Sequence, residues 1–187
     1  MSLLNDHRLL LGLRLFRGGL LFYTFYMEIH PTAETDKKTI LRLYGKAREF
    51  MKANGNPNQW GIGAPNECSL TKDIANQASF IVIDKGKIIG TFALYHYDGN
   101  YLKINGNWLN DEPYVVIHRL ASGEKGVGSF ILSSICSRFR NVRIDTHKDN
   151  IPMQNLLKKM GFVRCGTILL LDKDNSPREA YMKVNSL

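Results

Sequence analysis

Residues 114–132 read YVVIHRLASGEKGVGSFIL, and the fold turns on this stretch. Its first eight residues, 114–121, are almost continuously apolar and β-branched, the composition of a strand buried on both faces. A polar turn follows at 122–129 (SGEKGVGS), and beyond it Phe130, Ile131, Leu132, Ile135, Cys136 and Phe139 recur at the spacing of an amphipathic helix. A strand at 142–147 completes a strand, crossover helix, strand unit, which makes the two strands parallel.

Working outward toward the C-terminus, Asp149, Asn150 and Pro152 start a further helix striped by Met153, Leu156, Leu157 and Met160, and Gly161 ends it. Strands at 162–171 and 178–184 follow, joined by a turn at 172–177. On the other side, strands at 79–83 and 87–97 flank Asp84-Lys85-Gly86 as an antiparallel hairpin. A strand at 101–104 is expected to extend that hairpin, ahead of polar turn residues at 105–113. Earlier still, a strand at 27–30 leads to a helix capped by Thr35 or Asp36, with Ile40, Leu43, Tyr44, Ala47, Phe50 and Met51 on its apolar face. A loop through Trp60, Gly61, Gly63 and Pro65 connects it to a shorter helix near 71–76. Antiparallel strands on both sides of a central parallel unit imply an α/β or α+β domain with a mixed sheet.

At 187 residues, with 44% hydrophobic and 22% charged residues, 16 Gly and 6 Pro, the chain has globular composition, which excludes collagen-like, mucin-like and wholly disordered classes. A single domain over 27–187 is expected. The net charge of +8 suits polyanionic partners. No dense basic patch with interleaved aromatics accompanies it, and no nucleic-acid partner is expected; Lys158-Lys159 read as the solvated side of a helix. Cys68, Cys136 and Cys165 are odd in number and form no C-x-x-C pair, so neither a disulfide framework nor a zinc knuckle is encoded, and the thiols are read as reduced in a cytoplasm. His96, His147 and Asp149 match no metal-ligand spacing, and no metal is expected. The apolar segment at 9–26 is broken by Arg14, Arg17 and Gly18-Gly19, too soon for a membrane span or a secretory signal. Residues 1–26 read as a leader from a miscalled start or an expression vector, ordered by packing on a groove or a neighbouring molecule, which leaves a homodimer open.

The turn at 122–129 carries the chemistry. Gly126 and Gly128 allow close approach of the backbone, and the free amides and positive dipole end of the following helix suit phosphate oxygens. The common nucleotide fingerprints do not fit: there is no G-x-x-x-x-G-K-[ST], and G-x-G-x-x-G would need glycine where Ile131 stands. The text IHRLASGEKGVGSFIL, followed by DTHKDNIPMQNLLKKMGF, resembles the GNAT superfamily of acyl-CoA-dependent N-acyltransferases, and the resemblance covers nearly all of residues 27–184. The Gln59-Trp60 pair and the late SPREAYMKV look like a bacterial subgroup of it.

The resemblance implies a mixed sheet of about seven strands, splayed at its middle, with helices on both faces. The pantetheine of acetyl-CoA would lie in the V between the strands at 114–121 and 142–147, paired with the backbone of Leu120 and Ala121. In the family loop pattern [QR]-x-x-G-x-[GA], Gly126 and Gly128 take the glycine places, while Gly123 stands where Arg or Gln is usual. Amides from Glu124, Lys125, Gly126, Val127, Gly128 and Ser129 would hold the pyrophosphate, with Lys125 supplying charge. Asn150 matches the family asparagine at the next helix. The family tyrosine that protonates the leaving thiolate falls on Leu157, so that acid is missing.

Acyl transfer to an amine needs a group to take a proton and a group to stabilise the thiolate. His118 is the first candidate for the base and Asp145 the second, while Tyr181 could replace the missing tyrosine. Strand alternation would place His118 with Val116 and Leu120, opposite Ile117 and Arg119; which face looks into the acceptor site stays open. Trp60 is expected to line the acceptor pocket. Cys165 has no basic partner encoded beside it, which argues against an acyl-cysteine. Transfer of acetyl to a primary amine of a small molecule or peptide is the expected activity, and an acyl-CoA sensor without turnover is the alternative. Polyamine, aminoglycoside, amino acid, peptide and protein lysine stay open as acceptors.

Overall fold

The structure is a computed structural model describing residues 27–61, 63–171 and 175–186. The expectations for residues 1–26 lie outside the described residues. The elements are β1 (Met27–Pro31), α1 (Lys37–Ala53), α2 (Glu67–Ala75), β2 (Ser79–Asp84), β3 (Lys87–Tyr95), β4 (Ile104–Gly106), β5 (Val115–Ser122), α3 (Val127–Cys136), β6 (Asn141–Thr146), α4 (Ile151–Lys159), β7 (Val163–Leu170) and β8 (Ser176–Val184). Among the described residues they form one mixed sheet in the order β1-β2-β3-β5-β6-β8-β7-β4, with eight strands against the seven or so expected. β5 and β6 pair in parallel; the other neighbours in this sheet are antiparallel.

The eighth strand corrects a topological expectation. Residues 101–104 do not extend the β2–β3 hairpin. A 3-10 turn at Gly99–Tyr101 carries the chain across the sheet, and β4 pairs with β7 at the far edge, Ile104 opposite Ile168. Tyr101 is the anchor, fully buried with Val116, Ile168 and Ala180. Two glycines make the crossing fit: a Cβ on Gly106 would stand 2.2 Å from the Cys165 carbonyl oxygen, and one on Gly166 would stand 2.2 Å from that of Asn105.

Helix boundaries follow local hydrogen bonding. α2 begins four residues earlier than expected because Asn66 and Ser69 form a reciprocal capping box, each side chain accepting the other's backbone N–H at 3.0 Å. Asp36 does not cap α1; its carboxylate reaches back to the Ala33 N–H at 2.8 Å. Phe50, expected in the apolar stripe of α1, is 56% exposed at the cavity mouth.

The sheet buries its two faces differently. Beneath α3 and α4 lies one continuous core in which Val82, Phe92, Ile117 and Ile144 meet Ile131, Ile135 and Leu157. Ile131 and Ile135 are fully buried, worth about 1.5–3 kcal/mol each. The opposite face has two separate clusters. Ile40, Tyr44, Leu70, Ile81 and Ala121 pack under α1 and α2, and the Tyr101 group covers the other half. A cavity opens between them.

Candidate active site

β5 and β6 stay paired for three residues, Val115 with Val142, Val116 with Arg143 and Ile117 with Ile144, and then separate. Past that point β5 continues along β3 to Ser122, while β6 follows β8 to Thr146. The cause lies in the β3 pairing, where Ala93 faces His118 but Thr91 faces Ala121, so β5 holds one residue too many. That bulge is centred on Arg119, whose φ is 52°, and a bulge bends its strand and sharpens the local twist. It also overturns the expected alternation: Leu120 joins Ile117 on the α3/α4 side, and Ala121 packs under α1 and α2. The backbone at Leu120 and Ala121 therefore borders the gap without a β6 partner.

The gap runs into the glycine turn. The Gly123 N–H donates to the Ile89 carbonyl at 2.8 Å, and a Cβ at Gly123 would lie 3.2 Å from Leu43 Cδ2, which accounts for a small residue at that place. Gly126 has φ 92°, and a Cβ added there would meet nothing within 4 Å, so its conformation favours glycine while its outer side is open. α3 starts at Val127, and its first turn closes with Phe130 N–H to the Gly126 carbonyl at 3.0 Å. The N–H groups of Val127, Gly128 and Ser129 precede that bond and are orphan donors at the positive end of the helix. Gly128 admits α4 instead: a Cβ there would lie 3.0 Å from Leu156 Cδ2.

Gap and turn open into a cavity of about 900 Å³ whose wall includes His118, Asp98, Asp145 and Trp60. Asp98 Oδ2 accepts from His118 Nε2 at 2.8 Å, while His118 Nδ1 stands 3.9 Å from Asp145 Oδ1. The Tyr101 hydroxyl donates to Asp145 Oδ1 at 2.6 Å, and Arg178 Nε lies 3.9 Å from its other oxygen. Burial pushes the Asp98 carboxyl up, but hydrogen bonds from His118 and Asn100 outweigh it and hold the group below its ordinary value. Burial, with the Asp145 charge second, drives the Tyr101 phenol far above its usual range, so it keeps the proton that it donates to Asp145. Sequence reading missed Asp98; the signal available was an Asp-Gly turn directly after a strand.

Among solved structures, a GNAT-family acetyltransferase from Streptococcus agalactiae superposes with a TM-score of 0.79 at 26% identity, covering 90% of this chain and 100% of that one. The chain belongs to the GNAT superfamily. An acetyltransferase structure from Staphylococcus aureus covers 83% of this chain and 97% of its own at 22% identity and a TM-score of 0.59. An aminoglycoside acetyltransferase crystallised with coenzyme A and kanamycin covers 84% of this chain and 94% of its own at 17% identity and a TM-score of 0.58. No family model matches the chain, and no curated protein matches its sequence.

Within this GNAT fold the remaining site residues separate. Asn150 borders the cavity, but both ends of its amide are engaged: Oδ1 accepts from the Met153 N–H at 3.2 Å as the α4 cap, and Nδ2 donates to Gln59 Oε1 at 2.8 Å. The same Gln59 oxygen accepts from Asn56 Nδ2 at 2.8 Å, and the Gln59 carbonyl accepts from Arg178 Nη2 at 2.9 Å. These bonds hold the loop that presents Trp60, whose ring meets Tyr44 edge-on at 5.6 Å. Tyr181 is placed away from the cleft. It faces the α3/α4 core opposite Ile144, 6% exposed, with its hydroxyl 3.4 Å from Gln154 Oε1. The even registry of β6 and β8 puts residue 181 on the face opposite Asp145. Burial raises the Cys165 thiol, and its sulfur contacts the Val163 carbonyl at 3.5 Å. Among the described residues no cluster of three metal-ligating side chains occurs, and no helix is long and apolar enough to cross a membrane.

Proposed function

We propose that the protein transfers an acetyl group from acetyl-CoA to a primary amine of a small molecule or peptide, by direct attack in a ternary complex. The observation that carries this reading is the separation of β5 from β6 after Ile117, beside the N-terminus of α3 and in the same cavity as the His118–Asp98 pair. The fit to acetyl-CoA rests on the unpaired β5 backbone, the open side of Gly126 and the orphan amides of α3. When bound, acetyl-CoA supplies the thioester whose acyl carbon the amine attacks and whose sulfur leaves.

Leu120 and Ala121 offer backbone hydrogen bonds to an extended amide chain, as an added strand would. Amides from Glu124 to Ser129 face the pyrophosphate, and Lys125 adds charge at the exposed rim. With Nε2–H given to Asp98, Nδ1 of His118 is the basic nitrogen that takes the amine proton. Asp145, fixed by Tyr101, lies close enough to stabilise the resulting imidazolium. Tyr181 is off the cavity wall, so the proton held by His118 is the one at hand for the leaving sulfur. Trp60 walls the acceptor side. We place this activity in the cytoplasm, without metal, membrane or nucleic acid.

A second reading has one observation in its favour: Leu157, at the family tyrosine place, is fully buried and brings no hydroxyl to the cleft. A catalytically weak acyl-CoA sensor would tolerate that. Calorimetry with acetyl-CoA and its dephospho and desulfo analogues, followed by thiol release across an amine panel, tests both. Binding with amine-dependent thiol release supports the transferase, binding without release supports the sensor, and no binding overturns both.

A further inference from the structure

Arg119 is the one residue of β5 in the left-handed region, with φ 52°. A long side chain avoids that conformation, and it persists only where the surroundings over-determine it. The surroundings here are specific. Asp73, on α2 and only 1% exposed, places Oδ2 3.1 Å from Arg119 Nη1. Its other oxygen accepts from the Tyr95 hydroxyl at 2.6 Å. Tyr95 ends β3 and pairs with Val116, just before the bulge. One buried carboxylate thus joins three elements: helix α2, the end of β3 and the extra residue of β5.

The bulge decides where the Leu120 and Ala121 backbone runs. Ironed flat, β5 would regain strict alternation, sending Leu120 and Ala121 to the opposite faces and drawing their peptide groups back toward β6. Asp73 itself does not line the cavity; its neighbours Lys72 and Asn76 do. We infer that Asp73 is a positioning residue that, through Arg119, holds the β5 bulge and so sets the line along which the acyl-CoA chain pairs with Leu120 and Ala121. This rests on the acyl-CoA reading given above.

The test compares wild type with Asp73→Asn, Arg119→Ala and Arg119→Gly by calorimetric Kd for acetyl-CoA, and by amide hydrogen exchange over residues 117–122 without ligand. Asp73→Asn keeps the Tyr95 bond and loses the charge. Arg119→Ala keeps the unfavourable φ and loses the clamp. Arg119→Gly loses the clamp but adopts this φ freely, as bulges of this type commonly do. The first two variants are expected to weaken binding about tenfold, the scale of one lost interaction, with faster exchange confined to 117–122. Arg119→Gly is expected to restore affinity and protection most of the way. Unchanged Kd and exchange in Asp73→Asn and Arg119→Ala would overturn the inference. So would an Arg119→Gly variant as weak as Arg119→Ala, because the guanidinium charge, not the bulge, would then be responsible. If Arg119→Ala does not fold, Asp73→Asn against Arg119→Gly decides alone. If wild type binds no acetyl-CoA, the cofactor reading fails, while the exchange contrast still judges whether Asp73 holds the bulge.

Discussion

His118 on β5 and Asp98 in the turn after β3 are joined by a 2.8 Å hydrogen bond from Nε2 to Oδ2, which orients an imidazole otherwise free to turn about its ring bond. Rings of Tyr95 and Tyr101 approach it edge-on at 6.1 Å and 6.0 Å. His118→Gln is expected to lower kcat by about 10²–10⁴-fold, the usual worth of a positioned acid–base group. Asp98→Asn is expected to cost less, up to about a hundredfold for a misplaced base, with acetyl-CoA affinity unchanged in both. Steady-state kinetics beside calorimetry checks this, and a loss of cofactor affinity that matches the loss of kcat would remove His118 from the chemistry.

The carboxylates of half-buried Asp98 and buried Asp73 act oppositely on stability. Asp98 is held below its ordinary 3.8, so between the depressed value and 3.8 the folded state binds fewer protons than the unfolded one. Its contribution is full above 3.8 and is lost as pH falls through the depressed value. Asp73 is raised above 3.8, by burial first, against the opposing Arg119 charge and Tyr95 hydrogen bond. Stability therefore falls as pH rises from 3.8 through its raised value. Urea midpoints followed with pH are expected to lose their acid-side decline in part in Asp98→Asn, and to show a gain toward neutral pH in Asp73→Asn relative to its acid value. Parallel profiles for wild type and both variants would contradict these assignments.

Two glycines should fail in different ways. Gly126→Ala meets open space but must hold φ 92°, a strain of about 1–2 kcal/mol, and it disturbs the amides proposed to hold the phosphates. Gly90→Ala sets a Cβ 2.5 Å from Val127 Cγ1; Val127 is β-branched and cannot swing aside, so overpacking of about 1–3 kcal/mol follows. Denaturation midpoints are expected to fall in both, with cofactor affinity reduced beyond the stability loss only for Gly126→Ala.

Gln59→Ala removes the acceptor shared by Asn56 and Asn150. Leaving those amide N–H groups without it costs about 1–3 kcal/mol and releases the loop carrying Trp60. Tryptophan emission should shift to longer wavelength at unchanged secondary structure; an unmoved spectrum would mean that Tyr44 alone seats the indole.

Tyr181→Phe is expected to leave kcat unchanged, since the phenol lies in the α3/α4 core with Gln154 at its hydroxyl. A large fall in kcat without loss of stability would return the acid role to it.

Much of this was legible in the chain because it is written in local chemistry. The continuous apolar run before Ser122, the glycines at 126 and 128 and the 3.6-residue stripe from Phe130 establish strand, turn and helix from neighbours within a few residues. The resemblance carried by the same stretch led to the GNAT fold and to His118, Asp145 and Trp60, which the cavity gathers. What failed depended on distant partners. Nothing near 101–104 announces that Tyr101 will be drawn under Val116 and Ile168, or that Gly106 will meet Gly166 from a distant part of the chain. The period-2 rule gave the wrong face for Leu120 because a bulge is decided by pairing with β3 and by a carboxylate on α2. The placing of Tyr181 behind the sheet and the pairing of Asp98 with His118 have the same origin.

The order and type of the central elements, and the backbone chemistry of the 122–129 turn, are therefore properties of the linear chain, since they rest on dihedral preferences and hydrophobic period within one segment. Which side chains share the cavity is settled only in three dimensions, because a sheet assigns faces by register. Register here hangs on one extra residue, Arg119, held from helix α2 by Asp73.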